Sequence, residues 1–295
     1  MEQLNLFGEN IKILDSKKSI ILSASRMTDM PKFYPNELIN EVQKRLDKNV
    51  DIHTLVLWSK HPNSLLVNPL NDYLKLLIKK GIQLYFQCTI TGMGNLSIGN
   101  KNSGNEFIIE PAVPKPKIAI NDLKEVIALL GDPLRVKLRI DPIIKLINVK
   151  TNDKYTNLTM VEPILRECSK LGIKNFTFSF LESNIHKKVD RRFQEYEWKV
   201  VSPTLEEKKK VYEWLQKKAE KYNVTIKSCC VSGLEESRCI DGYLLSDLHD
   251  SSRAVDLNEP RKRQLCACTM STDIGGWPPK KCYSGCKYCY ANAQL

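Results

Sequence analysis

Short β-branched or apolar segments alternate with amphipathic helices along most of this chain of 295 residues, and this alternation restricts its fold more than any other feature. Repeated strand–helix units form parallel sheets with right-handed crossovers, and six such units are enough for a partial barrel. We therefore predict an α/β fold, a partial (β/α)6 barrel of parallel strands. The predicted strands are Ile20–Ser25, Thr54–Ser59, Gln83–Thr91, Arg135–Asp141, Asn175–Leu181 and Val224–Cys229.

One barrel-type domain fits a chain of this length better than two independent domains. We predict a tail over residues 1–15, the barrel over residues 16–230, and a cysteine-rich segment of the same domain over residues 231–295. A segment rich in Gly, Asn and Pro, Gly92–Pro116, follows the third predicted strand. Loops of this length are typically functional lids or disordered segments.

The N-terminal residues carry no basic region followed by a long apolar stretch, and no apolar run has the length needed to cross a bilayer. The sequence therefore predicts no signal peptide, no membrane span and a cytoplasmic location. Eight of the ten cysteines lie from Cys229 onward. This concentration at one end indicates metal ligation rather than disulfides.

The net charge of +11 and the pI near 9.1 favour a polyanionic partner such as DNA or another nucleic acid. The alternative is an ordinary solvated surface, because lysine-rich helices such as Glu206–Lys221 also raise the net charge without binding anything. Charge alone does not decide between these two interpretations.

Polar and charged residues occur where the predicted strands end. In βα barrels the chemistry takes place at the carboxyl ends of the strands, and charged side chains within apolar strands are costly unless they are paired or solvated. We therefore predict a charged catalytic pocket, with structural ion pairs from Arg26 to Asp29 or from Arg139 to Asp141 as the alternative. The predicted pocket residues are Arg26, Asp29, Lys60, Gln87, Arg139 and Asp141.

The C-terminal residues contain a C-x3-C-x2-C run formed by Cys282, Cys286 and Cys289. Three thiolates on one short loop can reach three corners of a [4Fe–4S] cluster, and no fourth cysteine follows, so one iron is left open for an outside ligand. This arrangement is expected of radical S-adenosylmethionine (SAM) chemistry. The alternative is a zinc site, although zinc sites usually pair two C-x2-C units or add histidines.

Several motifs spread along the chain support a family resemblance. They include Ser25–Pro31, Trp58–Pro62, Arg139–Ile143, Arg238–Gly242 and Cys286–Ala291. With these motifs the chain resembles an uncharacterised bacterial family whose members end in a radical-SAM-like cysteine cluster. That family is distantly similar to radical SAM enzymes of the spore photoproduct lyase type.

The resemblance implies a partial barrel in which the C-terminal segment returns to the open end and places the cluster there. It also implies that Tyr288 lies near the adenine of SAM and that an electron donor serves the cluster. We predict a radical SAM enzyme that repairs or modifies DNA or another nucleic acid. The alternatives are the same chemistry on a small metabolite or peptide, and a non-catalytic iron–sulfur or zinc module that senses redox state.

Four further cysteines match cysteine positions of the family: Cys229, Cys239, Cys266 and Cys268. Four thiolates can form a closed site, so these residues are candidates for a second iron–sulfur cluster or a zinc ion. They could instead include a hydrogen-atom or proton donor near the radical. The remaining interpretation, buried apolar thiols, accounts well for Cys88 and Cys168, which fall at core positions of a strand and a helix.

Residues Gln3, Leu4, Leu6 and Phe7 form a Q-L-x-L-F segment. This segment resembles the short peptide by which bacterial repair and replication proteins bind the DNA sliding clamp. A polar tail that carries two leucines and a phenylalanine can insert these side chains into an apolar groove. The alternative is an arm that folds onto the barrel of the same chain.

Overall fold

The computed structural model describes residues 19–251, 253–259 and 265–294, together with the backbone of two short strands, Glu2–Leu4 and Asn10–Lys12. These two strands pair with each other in antiparallel register. Gln3 and Leu4 of the predicted clamp-binding segment lie in the first of them, whereas Leu6 and Phe7 lie outside the described residues. Clamp binding therefore stays a prediction.

The described residues form a parallel sheet of seven strands, and this sheet confirms the predicted α/β fold with a partial barrel. The first six strands lie side by side in chain order, and the seventh pairs with the free edge of the first. The six predicted segments all form strands, within two residues of the expected ends. The strands are β1 (Ile20–Ser23), β2 (Ile52–Ser59), β3 (Gln83–Thr89), β4 (Val136–Ile143), β5 (Asn175–Phe180), β6 (Thr225–Ser228) and β7 (Thr272–Asp273).

Helices follow most of these strands, as the repeated units require. They are α1 (Met30–Phe33), α2 (Pro35–Asp47), α3 (Leu70–Lys79), α4 (Pro116–Leu130), α5 (Val161–Lys170), α6 (Lys187–Gln194), α7 (Leu205–Lys221) and α8 (Gly242–Asp247). Single 3₁₀ turns cover Pro62–Leu66, Lys101–Ser103, Pro133–Arg135 and Leu158–Met160. Within the described part of the chain, no helix combines the length and the apolar character needed to span a membrane.

Two small antiparallel sheets extend the barrel. The strands Lys145–Asn148, Lys154–Thr156 and Trp198–Val200 form one of them, with Lys145–Asn148 in the middle. The predicted loop Gly92–Pro116 contains the other, a hairpin of Ser97–Ile98 and Phe107–Ile108. This segment is therefore built around a hairpin, and it brings its final residues back beside the barrel.

Both faces of the parallel sheet are covered, as expected of a parallel sheet. Side chains alternate between the two faces along each strand. In β2, Leu55 and Leu57 pack into the core shared with the helices, whereas Val56 and Trp58 pack into a second cluster on the inner face. The second cluster includes Cys239, Ile240, Leu245 and Cys268. The inner face of the barrel is thus filled by residues that follow β6.

Candidate functional site

The C-terminal segment returns to the carboxyl ends of the barrel strands. The hydroxyl of Thr28, after β1, donates to the carbonyl oxygen of Lys280 at 3.1 Å. The hydroxyl of Tyr34 donates to the carbonyl oxygen of Lys281 at 2.8 Å. The amide of Lys287 donates to the carbonyl oxygen of Ile109 at 3.0 Å. These bonds place the cysteine loop over the ends of the strands, where barrel enzymes carry their sites.

The loop is also closed on itself and held by α6. The amide of Cys282 donates to the carbonyl oxygen of Asn292 at 2.7 Å, and the amide of Gln294 donates back to Cys282 at 2.8 Å. From α6, the Arg192 guanidinium donates to the carbonyl oxygen of Cys289 at 2.6 Å, and the Lys188 ammonium donates to that of Ala291 at 2.7 Å. Side chains of the barrel therefore fix the backbone on both sides of the last cysteine.

The three terminal thiols lie close enough to influence one another. Cys286 is buried, and Cys282 and Cys289 are half-buried. Burial raises the pKa of the Cys286 and Cys289 thiols, the neighbouring thiols raise it further, and the Lys60 ammonium opposes both effects. A buried thiol of this kind becomes a thiolate when positive charge is supplied, and a bound metal supplies it.

Beside Cys286 lies a group formed by the buried Thr91 and Glu110 and the half-buried Lys60 and Tyr288. The Lys60 ammonium lies 2.9 Å from Glu110 Oε1, and the Thr91 hydroxyl donates to Glu110 Oε2 at 2.8 Å. The Tyr288 hydroxyl also donates to Glu110. The Lys60 ammonium lies 5.4 Å from the centre of the Tyr288 ring, at cation–π distance. The Glu110 side chain is 1% exposed, so three donors satisfy a carboxylate that has almost no contact with water.

Lys60 is charged in this group. Burial opposes its charge, but the carboxylate of Glu110 and the thiol of Cys286 outweigh burial and raise its pKa above the ordinary value. Glu110 was not among the predicted site residues. The one feature of the sequence that could have indicated Glu110 is its position, because an acidic residue directly follows the apolar stretch Phe107–Ile109. The segment has no strand or helix period that would have placed it at the barrel.

Asp29 positions the chain at the end of β2. Its carboxylate accepts hydrogen bonds from the Ser59 hydroxyl at 2.8 Å and the Lys60 amide at 2.9 Å. The other oxygen accepts from the Lys32 amide at the start of α1. Burial raises the pKa of Asp29 to about 6, against the opposing effect of these hydrogen bonds. Asp29 thus fixes the backbone of Lys60, and its part in the chemistry stays a prediction.

Arg26 and Arg139 lie on the same aromatic ring. Their guanidinium carbons lie 5.6 and 5.3 Å from the centre of the Trp58 ring. Arg139 also pairs with Asp141, which accepts a hydrogen bond from Ser179. In the sequence analysis, structural ion pairs are the alternative to a catalytic pocket. One of these pairs, between Arg139 and Asp141, is present.

The same strands meet the segment that fills the barrel. Gln87 on β3 donates a hydrogen bond to the carbonyl oxygen of Cys239. Lys137 on β4 donates to the carbonyl oxygen of Arg238 at 2.6 Å. Gln87 therefore binds the backbone of this inner segment, and its role as a pocket residue stays a prediction.

Three of the upstream cysteines come together around Arg139. The Cys229 and Cys239 sulfurs lie 3.6 Å apart, and the Arg139 guanidinium lies 2.8 Å from the Cys239 sulfur. Hydrogen bonds from Cys229 and Cys268 and the charge of Arg139 lower the pKa of the Cys239 thiol well below its usual range. Cys266 packs at the edge of the same cluster. Cys88 and Cys168 are fully buried among apolar side chains, as predicted.

No three His, Cys, Asp or Glu side chains of the described residues surround a single point at metal-binding distance. Ligands of one zinc ion converge on one point, whereas each ligand of a [4Fe–4S] cluster binds a different iron. The terminal cysteines fit a cluster by their donor type, their single loop and the Lys60 charge that faces Cys286. Both metal assignments stay predictions.

Residues 21–291 match a protein-family model described as "Domain of unknown function (DUF1848)", and the chain belongs to this family. This match confirms the family membership predicted from the motifs. The looser kinship to the spore photoproduct lyase type stays a prediction. No curated protein matches the chain.

Among solved structures, the chain is similar to Streptococcus suis SuiB bound to S-adenosylmethionine, with 8% identity and a TM-score of 0.35. SuiB bound to precursor peptide SuiA gives 11% identity and a TM-score of 0.37. The carboxyl transferase domain of Rhizobium etli pyruvate carboxylase with 3-bromopyruvate is 11% identical to the chain, with a TM-score of 0.31. In the order given, these three matches cover 84%, 73% and 82% of this chain. They cover 52%, 50% and 45% of the other chains, so this chain spans about half the length of the structures that it matches.

Proposed function

We propose that this protein is an iron–sulfur enzyme of the radical SAM type. Cys282, Cys286 and Cys289 hold a [4Fe–4S] cluster with one iron open to SAM. When bound, such a cluster supplies the one-electron cleavage of SAM to methionine and a 5′-deoxyadenosyl radical, which takes a hydrogen atom from the substrate. The observation that carries the proposal is the position of this cysteine loop over the strand ends, beside the buried Lys60–Glu110 pair.

The residues of the barrel position the reactants in this proposal. Tyr288 lies between Glu110, which accepts a hydrogen bond from its hydroxyl group, and the Lys60 ammonium, which lies over its ring. These contacts fix the plane of the ring, and a fixed ring suits packing against the adenine of SAM. The burial of Cys286 and Glu110 limits the access of water to the site, and this limits side reactions of a radical with water. An external electron donor supplies the electron.

The substrate that we propose is DNA or another nucleic acid, with a base as the site of repair or modification. The net charge of +11 supports a polyanionic substrate. Arg26, which is exposed after β1, adds positive charge at the carboxyl ends of the strands, whereas the charge of Arg139 is paired with Asp141. A small metabolite or a peptide is the alternative substrate, and a redox-sensing module without catalysis is the alternative to an enzyme. An oxygen-sensitive cluster agrees with the cytoplasmic location predicted from the sequence.

Metal analysis of protein purified without oxygen tests the cluster. We expect brown protein with about four irons per chain, and an EPR signal of the reduced cluster that changes when SAM is added. The triple variant C282A/C286A/C289A should lose the iron and the signal, and should keep the circular dichroism of the barrel. Zinc without iron in the wild-type protein would contradict the proposal.

A second bound group at Cys229, Cys239, Cys266 and Cys268 is part of the proposal. Two thiolates on one tetrahedral zinc ion lie about 3.8 Å apart when each Zn–S bond is about 2.3 Å. The 3.6 Å between the Cys229 and Cys239 sulfurs is close to this spacing, which favours zinc over a second cluster. Completing the site requires Cys266 and Cys268 to move toward this pair. The C229S/C239S variant should lose one zinc per chain and keep the terminal iron; an unchanged metal content would exclude this second site.

We also propose that residues Gln3, Leu4, Leu6 and Phe7 bind the DNA sliding clamp, which would bring the enzyme to DNA. A synthetic peptide of the first ten residues should bind the clamp with micromolar affinity, about −8 kcal/mol. The double change L6A/F7A should abolish this binding because large apolar anchors supply most of the energy of such contacts. No clamp binding, together with a lower melting temperature of the L6A/F7A protein, would favour an arm packed on the barrel.

A further inference from the structure

A cleft of about 360 Å³ opens beside the terminal cysteine loop, and its residues are not explained by cluster binding. Met27, Lys188, Trp277 and Tyr290 line it, and Tyr290 directly follows Cys289. This volume lies within the range of clefts that hold small ligands or parts of larger ones. We call this feature the Trp277 cleft. A molecule bound in it lies next to the site proposed above.

The cleft presents aromatic side chains to water. Trp277 is 81% exposed, although burying an indole is normally favourable. Tyr290 is 43% exposed, and its ring stacks on His186 with the ring centres 5.0 Å apart and the planes 16° from parallel. His186 thus fixes the orientation of Tyr290. Exposed aromatic faces beside a cleft favour a flat, aromatic partner.

The cleft also presents positive charge. The Lys188 ammonium, which lines the cleft, donates to the carbonyl oxygen of Ala291. Within the described residues, Lys188 forms no salt bridge with a carboxylate. Its charge therefore remains available to an anionic ligand. A flat aromatic group and an anionic group on the same ligand describe a nucleotide.

We propose that the Trp277 cleft binds single-stranded nucleic acid, with a base stacked on Trp277 and a phosphate near Lys188. This inference rests on the proposed nucleic-acid substrate and gives it a place and a mode of binding. Single strands fit better than duplexes because a base inside a duplex has no free face for stacking. The bound strand then passes the cysteine loop, where the hydrogen atom is to be taken.

Fluorescence anisotropy of a labelled single-stranded oligonucleotide tests the cleft, with full-length protein prepared without oxygen and without added SAM. The W277A change should weaken binding tenfold or more, in line with the loss of one stacked base. The W277F change, which keeps an aromatic face, should restore binding to within a few-fold of wild type. A duplex of the same sequence should bind more weakly than the single strand.

Tyr243 provides the matched control. It is 55% exposed and lies on α8, which contacts Gln83 at the amino end of β3 and so lies away from the cysteine loop. The Y243A change should leave binding unchanged. The K188Q change should lower the slope of log Kd against log salt by about 0.7, the effect of one phosphate contact on a single strand. W277A and Y243A proteins that both bind like wild type would overturn the proposal, as would a wild-type protein that binds no single strand.

SAM cleavage, measured in the same preparations, separates this inference from the proposed function. Intact cleavage with binding that does not depend on Trp277 would reject the cleft and leave the enzyme. Binding that depends on Trp277 in a protein that never cleaves SAM would keep the cleft and reject the radical chemistry.

Discussion

Glu110 connects more parts of the candidate site than any other single residue described. Its carboxylate is bound to Lys60, which follows β2, to Thr91, which follows β3, and to Tyr288 on the cysteine loop. Separating a buried ion pair leaves an uncompensated charge in the interior, and this costs more than the pair contributes. The position of Tyr288 and the charge of Lys60 therefore both depend on one carboxylate.

We predict that E110Q lowers the free energy of unfolding by about 3–5 kcal/mol, because it leaves the Lys60 ammonium buried without its carboxylate. Urea denaturation followed by circular dichroism measures this loss. The double variant K60M/E110Q also removes the unpaired charge of Lys60. Its free energy of unfolding should therefore recover a large part of the loss. An E110Q protein as stable as wild type would show that the pair does not exist in solution.

Asp29 gives the protein a stability that depends on pH. Its pKa is raised from 3.8 to about 6, so the folded protein binds this proton more tightly than the unfolded chain does. The stabilisation is therefore complete below pH 4 and is lost as the pH rises through about 6. This difference in pKa corresponds to about 3 kcal/mol.

The D29N variant tests this dependence, because Asn cannot titrate. We predict that the unfolding free energy of wild type, minus that of D29N, decreases by about 2 kcal/mol between pH 4 and pH 7, which is most of the full difference. Urea denaturation at a series of pH values gives this difference. A difference that stays constant over this range would mean that Asp29 has an ordinary pKa in the folded protein.

Lys60 and Arg139 could be singled out as candidate residues, because Lys60 is a charge directly after an apolar strand and Arg139 is a charge within one. Glu110 could not be predicted. It is 50 residues from Lys60 and 178 residues from Tyr288 in the sequence, and its segment has no period that fixes where it lies. Only the return of the hairpin segment to the barrel brings these three residues together.

At the scale of elements, α6 and the cysteine loop form one unit. The helix begins at Lys187, and its two cations Lys188 and Arg192 lie four residues apart, on the same face. Both donate to carbonyl groups of the loop, at Ala291 and Cys289. The helix therefore orients the backbone that carries the last cysteine ligand.

We predict that R192A lowers the iron content of protein purified without oxygen to less than half that of wild type, because the carbonyl of Cys289 loses its donor. Hydrogen exchange over residues 282–294 should become faster in the same variant. Arg191 gives the control, because it is 76% exposed and faces Glu195 at 3.8 Å rather than the loop. Equal iron content in R192A and R191A would contradict this role of α6.

The six long strands could be predicted because each is an apolar run of four or more residues between helical stripes. The short strand β7 could not be predicted, because two residues, Thr272 and Asp273, carry no alternation that the sequence reveals. It forms because β1 has a free edge, and unpaired backbone groups at such an edge favour a further strand. The return of the C-terminal segment, predicted from the family resemblance, agrees with this pairing.

In the whole molecule, the sheet separates an outer apolar layer from an interior that holds both apolar and polar side chains. The outer face packs against helices, and the inner face packs against Cys239, Ile240 and Cys268 and carries Gln87, Lys137 and Arg139. At the carboxyl ends of the strands this interior meets the cysteine loop, the Lys60–Glu110 pair and the Trp277 cleft. The fold therefore places the predicted cluster ligands, the charged groups and the cleft at one end of the barrel.

Cleavage of SAM tests the central claim most directly. Protein reconstituted with iron and sulfide without oxygen, then mixed with SAM and dithionite, should form 5′-deoxyadenosine and methionine, measured by liquid chromatography and mass spectrometry. The C282A/C286A/C289A variant, treated in the same way, should form neither. Wild-type protein that holds four irons and forms no more 5′-deoxyadenosine than this variant would contradict the account.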